Sequence, residues 1–392
     1  MTRLRGARFD RRELAGGLGD AGLFIPIAVA LVAVNGLSAT AVFAGAGLTY
    51  VVTAIYFGVP IPVQPLKAFA AAAIALQLEA EVLAAGALLM AAAMALLAVT
   101  GLAGWLAARF PVVLIRGIQA SVAFLLVKAA VDLAERGNWA GLPAVPAGVS
   151  LAAAGLACAL LFVLGHHRTF PGTLVVLGAG VAAGIAVAGG LPPVNMGPQA
   201  VELSLPDAAA FGTALTTLVV AQIPLTFGNS VVATADAERS YFGERAARVR
   251  PNRLAASIAG ANALAGATSG LPVCHGAGGV TAHARLGART AGATLFTGAL
   301  YLSLGLVFGA SLPALLQLLL PGALAGMLLF VAVQHGLLAA QLERLPERAL
   351  AAGIGLVTLA TGNLAIGFGA GVAVLVAARA ARAGGRRPRM AA

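Results

Sequence analysis

Long apolar stretches, separated by short polar or glycine- and proline-rich breaks, follow one another along the whole chain. A helix needs about 20 apolar residues to cross the ~30 Å hydrocarbon layer of a bilayer. The pattern therefore predicts an all-α polytopic membrane protein. Its fourteen predicted segments lie at 14–35, 39–57, 66–80, 83–108, 112–134, 143–164, 171–190, 208–236, 252–268, 276–287, 288–311, 313–340, 346–361 and 364–380.

Two of these segments, 66–80 and 276–287, are too short to cross a bilayer as helices. Each follows a segment rich in proline or glycine, and the two preceding segments match each other as GVPI at 58–61 and GLPV at 270–273. Paired interruptions at corresponding positions of two halves are typical of a transporter's substrate site. Segments 3 and 10 are thus predicted to be half-helices preceded by short extended strands.

A second pair of matching strings, IPI at 25–27 and IPL at 223–225, extends the similarity between the halves. Each half then contains seven segments. Because duplication of an odd number of spans inverts the second copy, the sequence predicts a 7+7 inverted repeat about an axis in the membrane plane.

Basic residues set the predicted orientation, since short cytoplasmic loops carry most arginine and lysine. The connection 191–207 contains Glu202 and Asp207 and no basic residue, as expected outside. Both termini are predicted to be cytoplasmic, in the inner (plasma) membrane of the cell. The basic positions predicted inside are 3–12, Arg109, Arg116, 166–168, 239–253, Arg285, Arg289, Arg344, Arg348 and 379–389. The predicted units are a tail at 1–13, a first repeat at 14–190, an external connection at 191–207, a second repeat at 208–380 and a basic tail at 381–392.

Composition supports a membrane domain throughout, with 60% hydrophobic and 10% charged residues. The net charge of +11 lies in short segments beside apolar runs and lacks interleaved aromatic residues, so nucleic acid is not a predicted partner. Cys158 and Cys274 lie far apart in apolar sequence, which predicts neither a disulfide nor a metal site. No cofactor is predicted, and the absence of GxxxxGK[ST] excludes ATP as the chain's own energy source.

The two half-helix starts are the candidate substrate site. A helix start carries roughly half a positive charge and unpaired N–H groups, so two facing starts form an anion site. Gln64 and Lys67 lie at the first start. Lys67 is the strongest candidate for substrate binding, because inserting a lysine at membrane depth costs about 2.5–3.5 kcal/mol and such residues are typically functional. Its alternative is to extend to the cytoplasmic surface. Cys274, His275, Gly276 and Gly278 stand at the second start.

Each candidate at the second start has a structural alternative. His275 could donate to the anion or exchange a proton, or could be a hydrogen-bonded structural residue. Cys274 suits packing more than ligation. Gly276 and Gly278 would let an anion approach backbone amides, although close helix packing explains glycines equally well.

Further polar residues lie within the predicted spans. Asp20 could take up a symported proton, could pair with Lys67 or His275, or could cap a broken helix. Asn229, with Gln222 and Ser230 nearby, could bind substrate or join helices by hydrogen bonds. Lys128 and Asp132, four residues apart on one helix face, are predicted to form an ion pair. His283 and His335 are assigned no role.

Three strings carry a resemblance to a known family: GDAGLFIPI at 19–27, PIPVQPLKAFAAAAI at 60–74 and GLPVCHGAGGVTAHARLGART at 270–290. They resemble signature segments of the molybdate transporter family related to sulfate permeases. The resemblance implies the fold shared with uracil permease, divided into core and gate domains, with substrate between segments 3 and 10. It implicates Gln64, Lys67, Cys274, His275, Gly276 and Gly278, and implies an elevator-type movement, usually within a homodimer. The C-terminal regulatory domain usual in sulfate permeases is not expected here.

The predicted function is secondary uptake of molybdate, coupled to protons, with no enzyme activity. Sulfate or tungstate transport is the alternative within the class, and a nucleobase permease or an anion channel stands further behind. Molybdate and sulfate are both tetrahedral dianions, so the sequence leaves the choice between them open.

Overall fold

The computed structural model describes residues 6–102, 111–136, 139, 143–164, 172–201, 203 and 205–384. The described residues are mostly helical. The helices of the first half are α1 (Arg11–Gly17), α2 (Ala21–Asn35), α3 (Ala39–Phe57), α4 (Lys67–Ala75), α5 (Ala80–Thr100), α6 (Val112–Glu135), α7 (Ala147–Leu164) and α8 (Gly172–Ala188). Those of the second half are α9 (Ala208–Ala246), α10 (Pro251–Ala267), α11 (Ala277–Leu286), α12 (Ala291–Val307), α13 (Leu312–Gln317), α14 (Pro321–Ala340), α15 (Leu345–Thr361) and α16 (Leu364–Gly384).

Within the described part of the chain, seven helices are long and apolar enough to cross a membrane, or nine if each of two bent helix pairs is one span. The chain is therefore a multi-pass membrane protein. The count of fourteen segments and the inverted arrangement stay predictions. The basic positions Arg109 and 166–168, the acidic Glu202 and the tail beyond residue 384 lie outside the described residues.

The first predicted segment is interrupted where the sequence analysis placed a continuous span. Helices α1 and α2 meet at an angle of 43° around residues 18–20. Just before the break, α1 lies close to the start of α12. Gly16 and Gly17 allow this contact, because a Cβ on either would lie within 2.5 Å of the backbone of Ala288 or Ala293. The break leaves Asp20 at the start of α2.

The start of α12 is held against α1 by a buried acidic side chain. The Glu13 carboxylate, 1% exposed, accepts hydrogen bonds from the backbone amides of Arg289 and Thr290 at 3.1–3.2 Å. It thereby satisfies amides that the start of a helix leaves unpaired. The amides of Glu13 and Arg12 in turn hold the pKa of the Asp10 carboxyl, the N-cap of α1, below its ordinary value.

The helices form two packing groups. We call α1–α5 together with α9–α12 the site bundle, in which α3 packs along α12 and α5 along α10. We call α6–α8 together with α14–α16 the flanking bundle, in which α6 packs against both α14 and α15. The most extensive contact between the two bundles is that of α4 with α6.

Helix α9 contains two π-helical turns, Leu215–Val219 and Thr226–Val232, on either side of Pro224. Proline removes a backbone donor from a helix, and π turns are frequent at functional sites. The second turn carries Asn229 and Ser230, and Ser230 contacts Cys274 in the segment before the second half-helix.

Small residues allow close contact between helices of the site bundle. A Cβ on Gly47 of α3 would lie 2.6 Å from the Leu302 amide nitrogen and 2.8 Å from the Gly298 carbonyl oxygen. A Cβ on Gly45, two residues earlier on the same helix, would have nothing within 4 Å.

We expect Gly47→Ala to lower the stability of the purified protein by about 1–3 kcal/mol, the cost typical of overpacking. Gly45→Ala is the matched control and is expected to keep the wild-type melting temperature. Thermal unfolding in detergent measures both, and equal melting temperatures for the two variants would show that α3 and α12 do not pack this closely.

Candidate functional site

A two-stranded antiparallel pairing joins the halves of the chain at the centre of the site bundle. Strand β1 (Gln64–Pro65) pairs with β2 (Val273–Cys274), with Gln64 opposite Cys274 and Pro65 opposite Val273. The Leu66 amide adds a 3.0 Å hydrogen bond to the Pro272 carbonyl. Short strands thus precede both half-helices, as the sequence predicts.

The pairing points the starts of two short helices at one another. Helix α4 begins two residues after β1 and α11 three residues after β2. Because antiparallel strands run in opposite directions, the helices leave the pair on opposite sides, and each has its amino end at the strands. Among the described residues, the amides of Lys67, Ala68, Ala277 and Gly278 have no acceptor. Both helix starts therefore present free donors and positive dipole ends to the same region.

Gln64, Lys67 and Gly276 meet between these helix starts. A Cβ on Gly276 would lie 2.2 Å from Gln64 Oε1 and 3.3 Å from Lys67 Nζ. The Lys67 amine therefore points at the start of α11. Gln64 Oε1 is buried and has no hydrogen-bond partner in the described part of the chain.

The region between the helix starts is partly open. Lys67 is only partly buried, although residues 68–75 that follow it on α4 are all buried. Ala277 is partly exposed and Gly278 is exposed, with nothing within 4 Å of a Cβ added to it. Lys67, Ala277 and Gly278 thus form the accessible side of this region, whereas Ala68 is buried.

Cys274 borders the same region, and Ser230 of the π turn contacts it. The Cys274 thiol is buried, lies 3.8 Å from the Pro65 carbonyl oxygen and contacts the Ser230 hydroxyl. Those contacts suit packing. Asn229 precedes Ser230 in the π turn and keeps a partly exposed side chain.

Both ring nitrogens of His275 form hydrogen bonds within the protein. Nδ1 lies 2.8 Å from the Pro62 carbonyl oxygen, and Nε2 lies 2.9 Å from the Ser257 hydroxyl. A carbonyl only accepts, so Nδ1 carries the proton and donates. The ring would have to give up one of these bonds to contact an anion, which favours its structural alternative.

Asp20 has partners other than those the sequence analysis named. Its carboxylate accepts from the Tyr50 hydroxyl at 2.8 and 2.9 Å, and its Oδ1 lies 3.2 Å from His283 Nε2, outside the alignment of a hydrogen bond. Asp20 forms no ion pair with Lys67 or His275 in the described part of the chain. It is the N-cap residue of α2, although its side chain makes no cap hydrogen bond. His283, which was given no role, is one of the partners.

Three amide side chains position the half-helices. Gln222 Oε1 accepts from the Phe69 amide at 2.9 Å, which caps the start of α4. Asn262 donates to the Val273 carbonyl at 2.7 Å and accepts from the Val273 amide at 3.1 Å. Asn35 donates to the Ala73 and Leu78 carbonyls at 2.8 Å, which satisfies the end of α4. Asn35 and Asn262 were not among the predicted site residues, although both are polar amides within apolar segments, and that is the pattern that marks them.

The predicted ion pair between Lys128 and Asp132 on α6 is confirmed. It lies on an exposed part of the helix, where Asp132 lines a small cavity with Ile74 at the carboxyl end of α4.

The family described as molybdate transporter of the MFS superfamily matches residues 12–126 and 214–334. The chain belongs to this family. Both half-helix motifs, 60–74 and 270–290, fall inside the matched ranges. The family comprises membrane transporters and not enzymes.

Among curated proteins, this chain is similar to two proteins of Arabidopsis thaliana. It is 27% identical to molybdate transporter 2 over 92% of its own length and 85% of the relative's. It is 28% identical to molybdate transporter 1 over 92% of its own length and 86% of the relative's. A molybdate transporter 1 of Chlamydomonas reinhardtii is 35% identical over 41% of this chain and 32% of the relative.

Solved structures of the SulP/SLC26 transporters share the fold. The transmembrane domain of the cyanobacterial bicarbonate transporter BicA superposes with a TM-score of 0.64 at 18% identity, over 90% of this chain and 95% of that one. The murine anion transporter Slc26a9 in its inward-facing state superposes with a TM-score of 0.62 at 17% identity, over 93% of this chain and 67% of that one. The chain therefore has the fold of these transporters.

Proposed function

We propose that this protein is a secondary active transporter that imports molybdate, bound between the starts of α4 and α11. The observation that carries the proposal is the convergence of two helix starts with free amides on the amine of Lys67. Membership of the family and the two similar molybdate transporters of Arabidopsis thaliana favour molybdate as the substrate.

The chemistry of the region suits a tetrahedral dianion. Two positive dipole ends and one ammonium group supply opposite charge from several directions, and the free amides can donate hydrogen bonds to oxyanion oxygens. We assign substrate binding to Gln64, Lys67, Gly276 and Gly278, with Cys274 and Asn229 at the border. His275 contributes by holding β2 against Pro62.

An inverted repeat and an elevator-type movement are part of the proposal. Two equivalent helix pairs support the repeat, since α3 packs on α12 as α10 packs on α5. The antiparallel pairing of β1 with β2 supports a two-fold axis through the site. The site bundle, as the core, would carry the anion past the flanking bundle, as the gate. We retain 14–190 and 208–380 as the two repeats.

Orientation, coupling and assembly complete the proposal. We infer cytoplasmic termini, proton coupling through Asp20 and a homodimer in the inner membrane. Many large apolar side chains are exposed, including Leu156, Val163 and Val376 at 59–70%, and these suit contact with lipid.

Competition binding to the purified protein tests the substrate. Molybdate is expected to bind saturably and to be displaced by tungstate more readily than by sulfate. Tighter binding of sulfate would overturn the choice of molybdate and leave an oxyanion carrier. In proteoliposomes, saturable molybdate counterflow is expected of a carrier, and anion conductance without counterflow would instead indicate a channel.

A further inference from the structure

A buried polar cluster lies beside the proposed anion site and is formed by side chains from three helices. Asp20 stands at the start of α2, Tyr50 in the middle of α3 and His283 in the last turn of α11. The three are at most 3% exposed. We call Asp20, Tyr50 and His283 the acid cluster.

The surroundings of the acid cluster contain few other charges. Helix α4 brings Lys67 within electrostatic range of Asp20. Helix α12 brings Tyr301, whose hydroxyl has no hydrogen-bond partner among the described residues. No arginine forms an ion pair with Asp20 in the described part of the chain. His283 is therefore the group in contact with Asp20 that can offset its charge by gaining a proton.

We propose that Asp20 and His283 together bind the proton that is transported with the anion, an inference that rests on the proposed function. A carboxylate beside a neutral imidazole carries one buried negative charge, and adding one proton to the pair removes it. The proton can lie on the imidazole, which then forms an ion pair with the carboxylate, or on the carboxyl group beside a neutral imidazole. The two arrangements have the same net charge.

Charge balance explains why the proton and the anion bind together. With the site empty and the pair unprotonated, the ammonium of Lys67 offsets the pair's negative charge. A dianion beside Lys67 reverses the local charge and makes a second negative group nearby unfavourable, so the pair gains a proton. Because coupling between two ligands is reciprocal, a proton on the pair also strengthens anion binding.

The acid cluster also contacts both chain segments that form the anion site. The Tyr50 hydroxyl, which bonds to Asp20, lies 3.2 Å from the carbonyl oxygen of Val63, the residue before β1. His283 belongs to α11, whose start presents the free amides. Protonation of the pair changes which of its atoms donate and accept, and so acts on both segments. His275 lacks this property because both of its ring partners are uncharged.

Molybdate binding, measured calorimetrically in buffers of different ionisation enthalpy between pH 6 and 8, tests the proposal. The wild-type protein is expected to take up protons when it binds molybdate, and its affinity for molybdate is expected to fall as pH rises. Asp20→Asn is expected to bind molybdate with pH-independent affinity and without proton uptake. His283→Gln is expected to shift the pH dependence of binding to lower pH.

Asp132→Asn, which removes the exposed ion pair on α6, is the control and is expected to keep the wild-type proton uptake. Molybdate binding without proton uptake by the wild type, or full proton uptake by Asp20→Asn, would overturn this proposal and leave the transport function standing. If Asp20→Asn does not fold, an unchanged pH profile in His283→Gln contradicts the proposal instead. Absence of molybdate binding at every pH would refute the proposed function itself.

Discussion

Replacement of Lys67 by alanine is expected to abolish molybdate uptake. The amine points at the start of α11, and it is the cationic group found at the half-helix starts in the described part of the chain. The bound anion would cover the partly buried amine, and removing one partner of a charge pair that is buried in a complex costs about 2–5 kcal/mol. This cost corresponds to at least about a 30-fold loss of affinity. Molybdate binding to purified protein and uptake into proteoliposomes measure the effect.

Two further variants define the cause of that loss. Lys67→Arg keeps the charge but replaces a compact ammonium with a wider planar group. We therefore expect its affinity for molybdate to be lower than that of the wild type and higher than that of Lys67→Ala. Lys128→Ala removes an exposed lysine and is expected to leave uptake unchanged. Wild-type uptake by Lys67→Ala would show that the lysine only extends to the membrane surface.

Gly276→Ala is expected to reduce molybdate binding at least tenfold while the protein remains folded. The added methyl group would lie 2.2 Å from Gln64 Oε1 and 3.3 Å from Lys67 Nζ. The neighbours are ends of flexible side chains, so they can move aside without displacing the backbone, but they then leave their positions at the helix starts. Titration with molybdate gives the affinity, and thermal unfolding verifies that the fold persists.

Two glycines serve as references for this variant. Gly260→Ala, at an exposed position of α10 with nothing within 4 Å, is expected to match the wild type in binding and stability. The methyl group of Gly278→Ala also meets no atom within 4 Å among the residues that the structure describes. Weaker molybdate binding by Gly278→Ala with unchanged melting temperature would therefore come from contact with the ligand. Wild-type affinity in Gly276→Ala would exclude an anion site at this helix start.

The sequence indicated the two half-helices because their cause is local. Prolines at 60, 62 and 65 and at 272 cannot continue a helix, and the apolar runs after them are too short to span the bilayer. The same reasoning identified Gln64, Lys67 and Gly276, which the structure brings together. The ion pair of Lys128 with Asp132 was also predictable, because four residues return a helix to the same face.

The partners of buried polar groups were decided only by the tertiary structure. Asp20 lies 30 residues from Tyr50 in sequence and far further from His283, and no periodicity of a single helix encodes such a contact. His275 likewise finds Pro62 across the two halves of the chain. Hydropathy and proline act within one segment, so a membrane protein with two interrupted helices and their polar residues could be predicted before any tertiary contact was known. Which of those residues face the anion region, and which satisfy one another, depends on how distant segments pack, because each buried polar group must find a partner wherever the fold supplies one.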